Sequence, residues 1–355
     1  MDKYRIDSHK LMYHIDRVHE WLNGKLIYPI YIEISPSGSC NHRCTFCALD
    51  FMEYQKRYIS TPVLLDRIQE MGELGVKSIM FGGEGEPLLH KDMDEIIPHT
   101  KSSGIDVAVT TNGVMLKSSL SEKILKDIEW IKISLNAGSK STYSNIHRTN
   151  ESDFDKVINN LHTAAIIKQK NNYHCILGIQ MILLPENYSE AVLLAKIAKD
   201  IGMDYLVIKP YSQHPSSHTD TYKNINYEKY HSIFDDLKQI NDEKFSVIVR
   251  VNTMAKWDIG GKSYDHCYAL PFWSYIDASG NIWGCSSFLG DEKFNYGNIN
   301  QKTFKYIWEG EQRRQSLDYV KNQLNINSCR INCRMDECNR YLWELKHPPI
   351  HVNFI

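Results

Sequence analysis

From residue 31 to about residue 251 the chain repeats one pattern, a short β-rich run followed by an amphipathic helical stretch. The β runs are IYIEIS, KSIMFG, IDVAVTT, WIKISLN, CILGIQMIL, DYLVIKP and FSVIVRV; the helical stretches include TPVLLDRIQEMGELG, SDFDKVINNLHTAAIIKQ and NYSEAVLLAKIAKDIG. Thr61-Pro62 opens the first of these helices, and Gly75 and Gly202 close the first and third, residue types suited to those ends. Strands alternating with helices are joined by right-handed crossovers and lie parallel. Six or so such units in series predict an open or closed α/β barrel, whose chemistry collects at the carboxyl ends of its strands.

The flanks differ. Residues 1–30 are too short for a domain and predict a lead-in segment with a helix; residues 31–255 are the barrel. Beyond that the sequence turns Gly-, aromatic- and Cys-rich, which predicts a smaller second domain over 256–355. Apolar residues are 42% and charged residues 24% of the chain, ordinary values for a folded protein. A net charge of −2 with no basic block argues against nucleic-acid or anionic-membrane partners. The start, MDKYRIDSHK, lacks the apolar core of a signal peptide, and no apolar run is long enough to span a bilayer. A cytoplasmic location is therefore expected. The nine cysteines are clustered: none lies between Cys47 and Cys175, and five follow residue 260. In a reducing compartment such clusters read as metal ligands before disulfides.

SPSGSCNHRCTFCALDF, residues 35–51, places Cys40, Cys44 and Cys47 on the loop after the first predicted strand. Structural zinc sites use four ligands, commonly in two pairs. Three thiolates spaced C-x3-C-x2-C with no near fourth suit a [4Fe–4S] cluster with one open iron. The competing interpretation is a zinc site completed from a distance, for example by His42.

Cys40, Cys44, Phe46 and Cys47, read as C-x3-C-x-aromatic-C after a first strand, resemble the signature of the radical S-adenosylmethionine superfamily. The resemblance implies a partial (β/α)6 barrel in which the open iron binds the amino and carboxylate groups of S-adenosylmethionine. Reductive cleavage then yields a 5′-deoxyadenosyl radical that abstracts hydrogen from a substrate. FGGEGEPLLH, ending the second strand, resembles the family's Gly-Gly-Glu-Pro motif for the cosubstrate's ammonium. Two alignments compete there: Gly82-Gly83-Glu84, and Gly85-Glu86-Pro87, which keeps the proline. Glycines let backbone approach a ligand, and a carboxylate suits an ammonium. Thr111 and Asn112 end the third strand, and Ser134 and Asn136 the fourth, within reach of ribose or methionine groups. Arg148 resembles an arginine that pairs with the cosubstrate carboxylate. An electron donor such as flavodoxin or ferredoxin is implied as a partner.

Cys267 and Cys285 are separated by seventeen residues, Gly280 among them, and Cys329, Cys333 and Cys338 follow. This resembles a SPASM domain, or its shortened Twitch form, which carries auxiliary [4Fe–4S] clusters. Five cysteines imply one auxiliary cluster, with two of the last three as ligands. A zinc ribbon tolerates the same spacings. One thiol is left over: as a hydrogen donor it would make an epimerase, and as a small buried apolar group it would leave oxidation as the outcome. Cys175 reads as core.

The stretch IKPYSQHPSSHT after the sixth strand offers Lys209, Tyr211, Gln213, His214 and His218 to a polar or anionic ligand, and Gln180 ends the fifth strand. The expected substrate is a small polar molecule: a sugar, nucleotide sugar or aminocyclitol. Radical modification of a ribosomal peptide is the alternative, disfavoured because only thirty residues precede strand one. A non-catalytic iron–sulfur or zinc protein is the third reading.

Overall fold

The computed structural model describes residues 3–354. Seven strands carry the barrel: β1 (Tyr31–Ile34), β2 (Ser78–Phe81), β3 (Asp106–Thr111), β4 (Trp130–Ser134), β5 (Ile176–Ile182), β6 (Tyr205–Lys209) and β7 (Ser246–Val249). Each pairs in parallel with the next, so they follow chain order across the sheet. Side chains alternate along each strand between the two faces. Ile32, Ile79, Val107, Ile131, Ile179 and Leu206 go outward, are all buried, and pack under the helical layer. Full burial of each contributes about 1.5–3 kcal/mol relative to exposure. The opposite face carries Glu33, Met80, Thr110, Lys132, Gln180 and Lys209, the residues that alternate with that apolar set.

The helices between strands follow local rules. Helix Thr61–Glu73 begins with Pro62 in its first turn, where a missing N–H costs nothing. Helix Ser152–Lys170 carries Asp153 and Asp155 in its first turn and Lys168 and Lys170 in its last, complementing the helix dipole. Helix Lys140–His147, absent from the sequence reading, starts where the Ser139 hydroxyl accepts the Thr142 N–H.

Among the described residues the sheet is not closed by strands. Inside the fold, Tyr4 and Ile6 pack on Tyr205, Val207 and Ile248. Asp7 accepts a hydrogen bond from Arg250 Nε (3.1 Å) and another from the Thr253 hydroxyl (2.5 Å). The lead-in helix covers Ile15–Leu22.

The carboxy-terminal part has more regular structure than its composition suggests. It forms β8 (Trp273–Ile276), β9 (Asn281–Trp283) and β10 (Asn295–Asn298), then helices Phe304–Trp308, Glu311–Asn322 and Asp336–Lys346. β8 pairs in parallel with β1, from Tyr31↔Trp273 to Ile34↔Ile276. The second region thus continues the barrel's own sheet, with β9 and β10 adding antiparallel strands at that end.

Candidate active site

The three-cysteine loop leaves the carboxyl end of β1 and is tied to three neighbouring elements. Ser39 O accepts the Glu86 N–H (2.8 Å), joining it to the loop after β2. Asn112 Nδ2 donates to Asn41 Oδ1 (2.6 Å), joining it to the end of β3. The N–H groups of Arg43 and Thr45 donate to the carbonyls of His147 and Ile146, at the end of helix Lys140–His147. Gly85 is required by this packing, because a Cβ there would sit 2.2 Å from the Ser37 carbonyl oxygen.

Cys40, Cys44 and Cys47 meet inside this frame. Burial pushes the Cys40 thiol up to about 12, with the Glu86 carboxylate adding to the effect. Cys44 is raised well above the ordinary value by burial, then by Cys47 and Cys40. Cys47 is raised by burial, against a hydrogen bond from Tyr54. Three thiols so close together ionise together only around a cationic centre that offsets the repulsion between thiolates, which a metal cluster supplies.

His147 is the neighbour that sequence reasoning missed. Its Nε2 accepts the Asn136 N–H (3.3 Å), and Asn136 Oδ1 in turn accepts the Ile182 N–H (2.7 Å), which turns the Asn136 amide NH2 toward the same ring nitrogen. The ring proton therefore sits on Nδ1, 3.2 Å from Cys44 Sγ. His42, Cys44 and His147 place ligand atoms within 4.8 Å of one another. Because His147 directs a proton rather than a lone pair at the sulfur, the trio is poorly suited to zinc. Burial lowers His42 to about 4, and its Nε2 lies 3.7 Å from Asp153. Phe46 packs edge-on to His147, with ring centroids 5.7 Å apart.

The two glutamates after β2 have different surroundings. Glu86 is buried and accepts from the Thr111 hydroxyl (2.6 Å), Asn112 N–H (2.7 Å) and Leu88 N–H (3.1 Å). Burial still raises it to about 7. Glu84 turns toward the carboxy-terminal part, accepting from Ala278 N–H (2.6 Å) and Arg57 Nη2 (2.7 Å). Gly83, at φ 102°, gives Glu84 that direction beside Tyr275 and Ser35. Glu86 therefore faces the cysteine loop, and Glu84 braces β2 against the turn after β8. Ser134 and Gln180 are register partners on β4 and β5, both half-buried on the inner face. Arg148 is exposed, left-handed at φ 48°, and acts electrostatically on Tyr222, whose hydroxyl donates to Thr45 of the loop (2.9 Å).

Four of the five late cysteines line one small cavity: Cys267, Cys285, Cys329 and Cys333, with Lys262, Asn339 and apolar walls. Burial raises Cys267 to about 11 and Cys329 to about 12, each pushed further by neighbouring thiols. Ser287 N–H points at Cys285 Sγ (3.4 Å), and Asn339 Nδ2 at Cys267 Sγ (3.5 Å). Cys338 lies outside that lining and packs with Leu11, Val18, Ile27 and Leu342, a cluster that Cys267 also joins; burial, then Cys333 and Cys267, raise it to about 12.

The stretch after β6 forms a strap whose polar groups bond largely within the protein. Tyr211 is buried and donates its hydroxyl to Gln213 Oε1 (3.1 Å). The Gln213 amide donates to the carbonyls of His214 and Thr219. His214 Nδ1 accepts the Ser216 N–H (3.0 Å), so Nε2–H donates to Ser286 O (2.9 Å). His218 is exposed, with only its N–H held, by Asp50 Oδ1 (2.9 Å). Their polar atoms hold the loop. Lys209 and Gln180 are the two of the six candidates that face the barrel interior.

Residues 34–198 match the family profile described as Radical SAM superfamily, and residues 267–334 match the iron–sulfur cluster-binding domain SPASM. The second match includes the four cavity cysteines and ends before Cys338. Among curated proteins, the chain is 34% identical to a GTP 3′,8-cyclase of Aquifex aeolicus, over 51% of this chain and 57% of that one. It is 30% identical to a probable GTP 3′,8-cyclase of Metallosphaera sedula, over 49% of this chain and 53% of that one. The chain thus spans just over half the length of these relatives. Among solved structures, Streptococcus suis SuiB bound to precursor peptide SuiA superposes with a TM-score of 0.64 at 17% identity, covering 85% of this chain and 69% of that one. anSMEcpe with bound AdoMet gives 0.58 at 18%, covering 90% and 95%. At these identities the likeness is one of fold. Domains of these two kinds carry a [4Fe–4S] cluster, auxiliary iron–sulfur and S-adenosylmethionine. The chain carries a radical S-adenosylmethionine superfamily domain over residues 34–198, followed by a SPASM iron–sulfur cluster-binding domain over residues 267–334.

Proposed function

We propose that this protein cleaves S-adenosylmethionine reductively and uses the radical to oxidise a small polar substrate held inside the barrel. The observation that carries the reading is the loop of three part-buried thiols at the carboxyl end of β1, braced by the loop after β2, the end of β3 and helix Lys140–His147. Cys40, Cys44 and Cys47 would hold the radical-generating cluster, and Cys267, Cys285, Cys329 and Cys333 the auxiliary one. When bound, these groups supply a 5′-deoxyadenosyl radical at the first site and an electron acceptor at the second. Glu86 faces the first site to receive the cosubstrate ammonium. Ser134 and Gln180 line the inner face for cosubstrate or substrate hydroxyls. Oxidation is favoured over epimerisation because the thiol outside the second cavity, Cys338, is packed in an apolar cluster. Flavodoxin or ferredoxin is the expected donor.

The test is anaerobic reconstitution followed by dithionite reduction. The wild type should hold about eight irons, two four-iron clusters, and form 5′-deoxyadenosine. A variant with Cys40, Cys44 and Cys47 all replaced by alanine should form none while keeping about four irons. Cleavage by that variant would remove the assignment.

A further inference from the structure

Residues 210–219, the strap after β6, contain no helix or strand. A segment without a ladder of its own is as ordered as its tethers make it. The tethers of this one lead to both cysteine sites.

Toward the first site, Asp50 stands three positions past Cys47 and accepts from the Ser217 hydroxyl and from the N–H groups of His218 and Thr219. Phe51 stacks on the His214 ring, with centroids 4.6 Å apart at 27°. Toward the second site there are two contacts. His214 Nε2–H donates to the carbonyl of Ser286, the residue after Cys285 (2.9 Å). Arg330 and Asn332 lie between Cys329 and Cys333. Arg330 Nη2 donates to Ser212 O and Oγ (both 3.0 Å), and Asn332 Nδ2 to Tyr211 O (3.3 Å). His214 is the residue that touches both sides. It is buried, and Ser216 N–H on its Nδ1 (3.0 Å) fixes the proton on the nitrogen that faces Ser286.

Backbone beside metal ligands becomes ordered when the metal binds. Ser286, Arg330 and Asn332 all adjoin cysteines of the second site. We propose that His214 is a positioning residue that couples the two sites: filling the second fixes Ser286 and the 329–333 loop, these hold the strap, and the strap holds the turn after Cys47. This rests on the reading of both cysteine sets as cluster sites, and adds that the second set helps to order the first. The coupling is reciprocal, because it is a free energy shared by two binding events. A rival route exists. Leu49, Phe51 and Met52 also pack in the apolar cluster that contains Cys267 and Cys285. Changes at His214 separate the two routes.

The experiment uses the full chain with Cys40, Cys44 and Cys47 replaced by alanine, so that reconstituted iron enters the second site alone. Amide hydrogen exchange is compared with and without iron. Loading should slow exchange at 216–219 by about fivefold or more, the low end of coupling between sites. It should also slow the amides of Met52 and Glu53, which close the turn onto Leu49 and Asp50. His214→Phe keeps a ring against Phe51 but loses the bond to Ser286. With it, the iron response at Met52 and Glu53 should vanish while that at 285–288 remains. His214→Gln retains a donor and should recover part of it. A histidine with a structural role alone would change exchange equally with and without iron, which overturns the proposal. Iron uptake with no response at 216–219 does the same. A response at Met52 and Glu53 that survives His214→Phe assigns the coupling to the apolar cluster and overturns the role of the strap. A chain that takes up no iron at all overturns the reading of the second site itself, a result distinct from the others.

Discussion

His147 shows how one residue can join two roles. Its Nε2 organises Asn136 and its Nδ1–H meets Cys44 Sγ. Hydrogen bonds to cluster sulfurs raise reduction potential. His147→Phe keeps the ring but loses both contacts. It should lower the potential of the first cluster in an EPR-monitored titration, and cost about 1–3 kcal/mol of stability through the unpaired Asn136 N–H. Glu86 and Glu84 make a second test. If Glu86 receives the cosubstrate ammonium, Glu86→Gln should weaken S-adenosylmethionine binding by about tenfold or more, the scale of a charge-assisted hydrogen bond. Glu84→Gln should change it little, and the reverse order in equilibrium dialysis would favour the other alignment. The three clustered cysteines were legible from spacing alone. His147 was not, because a histidine in a polar stretch carries no local mark of a partner 103 positions away. The inward direction of Lys132 was illegible for another reason. Alternation with Ile131 and Ile133 in WIKIS reads as a polar face toward water, and only the curvature of the whole sheet turns that face inward.

At the scale of elements, the seven barrel strands were readable because each is a short apolar run bounded by polar punctuation. Helix Lys140–His147 was not, since KSTYSNIH offers no clear apolar stripe and the helix depends on the Ser139 cap and on Tyr143 and Ile146 reaching the core. β9 and β10 were hidden by length and by Asn and Gly content. The polar density of the strap after β6 was legible in the sequence, but not that Tyr211, Gln213 and His214 hydrogen-bond within the fold. Asp50 is central to that strap, accepting from the Ser217 hydroxyl and the His218 and Thr219 N–H groups, all at 2.9 Å. Asp50→Ala should speed hydrogen exchange across 216–220 while leaving the strands protected. Glu84 offers a pH test of the brace between β2 and β8. Burial raises it from an ordinary 4.5 to about 7, although Ala278 N–H and Arg57 pull the other way. Between those values the folded chain keeps a proton that the unfolded chain has released, so stability falls as pH rises from about 4.5 to about 7. Glu84→Gln removes that slope. Its thermal midpoint should gain on the wild type across this window, and a constant difference would contradict the assignment.

Across the whole molecule, two sulfur-lined sites are held by one sheet. Cys333→Ala should lose iron from the second site, whereas Cys338→Ala should keep the full complement, since Cys338 packs beside Leu342 and not in the cavity. Iron analysis of the two variants decides it. The pairing of β8 with β1 also bears on how the chain can be cut. A shortened form ending before Trp273 would bare the backbone donors and acceptors of Tyr31–Ile34 on a strand whose Ile32 and Ile34 are built for burial. Such a bare edge is a template for any other strand it meets. Removal of the cysteine-rich region should therefore show itself as insoluble protein, before any question of turnover can be asked.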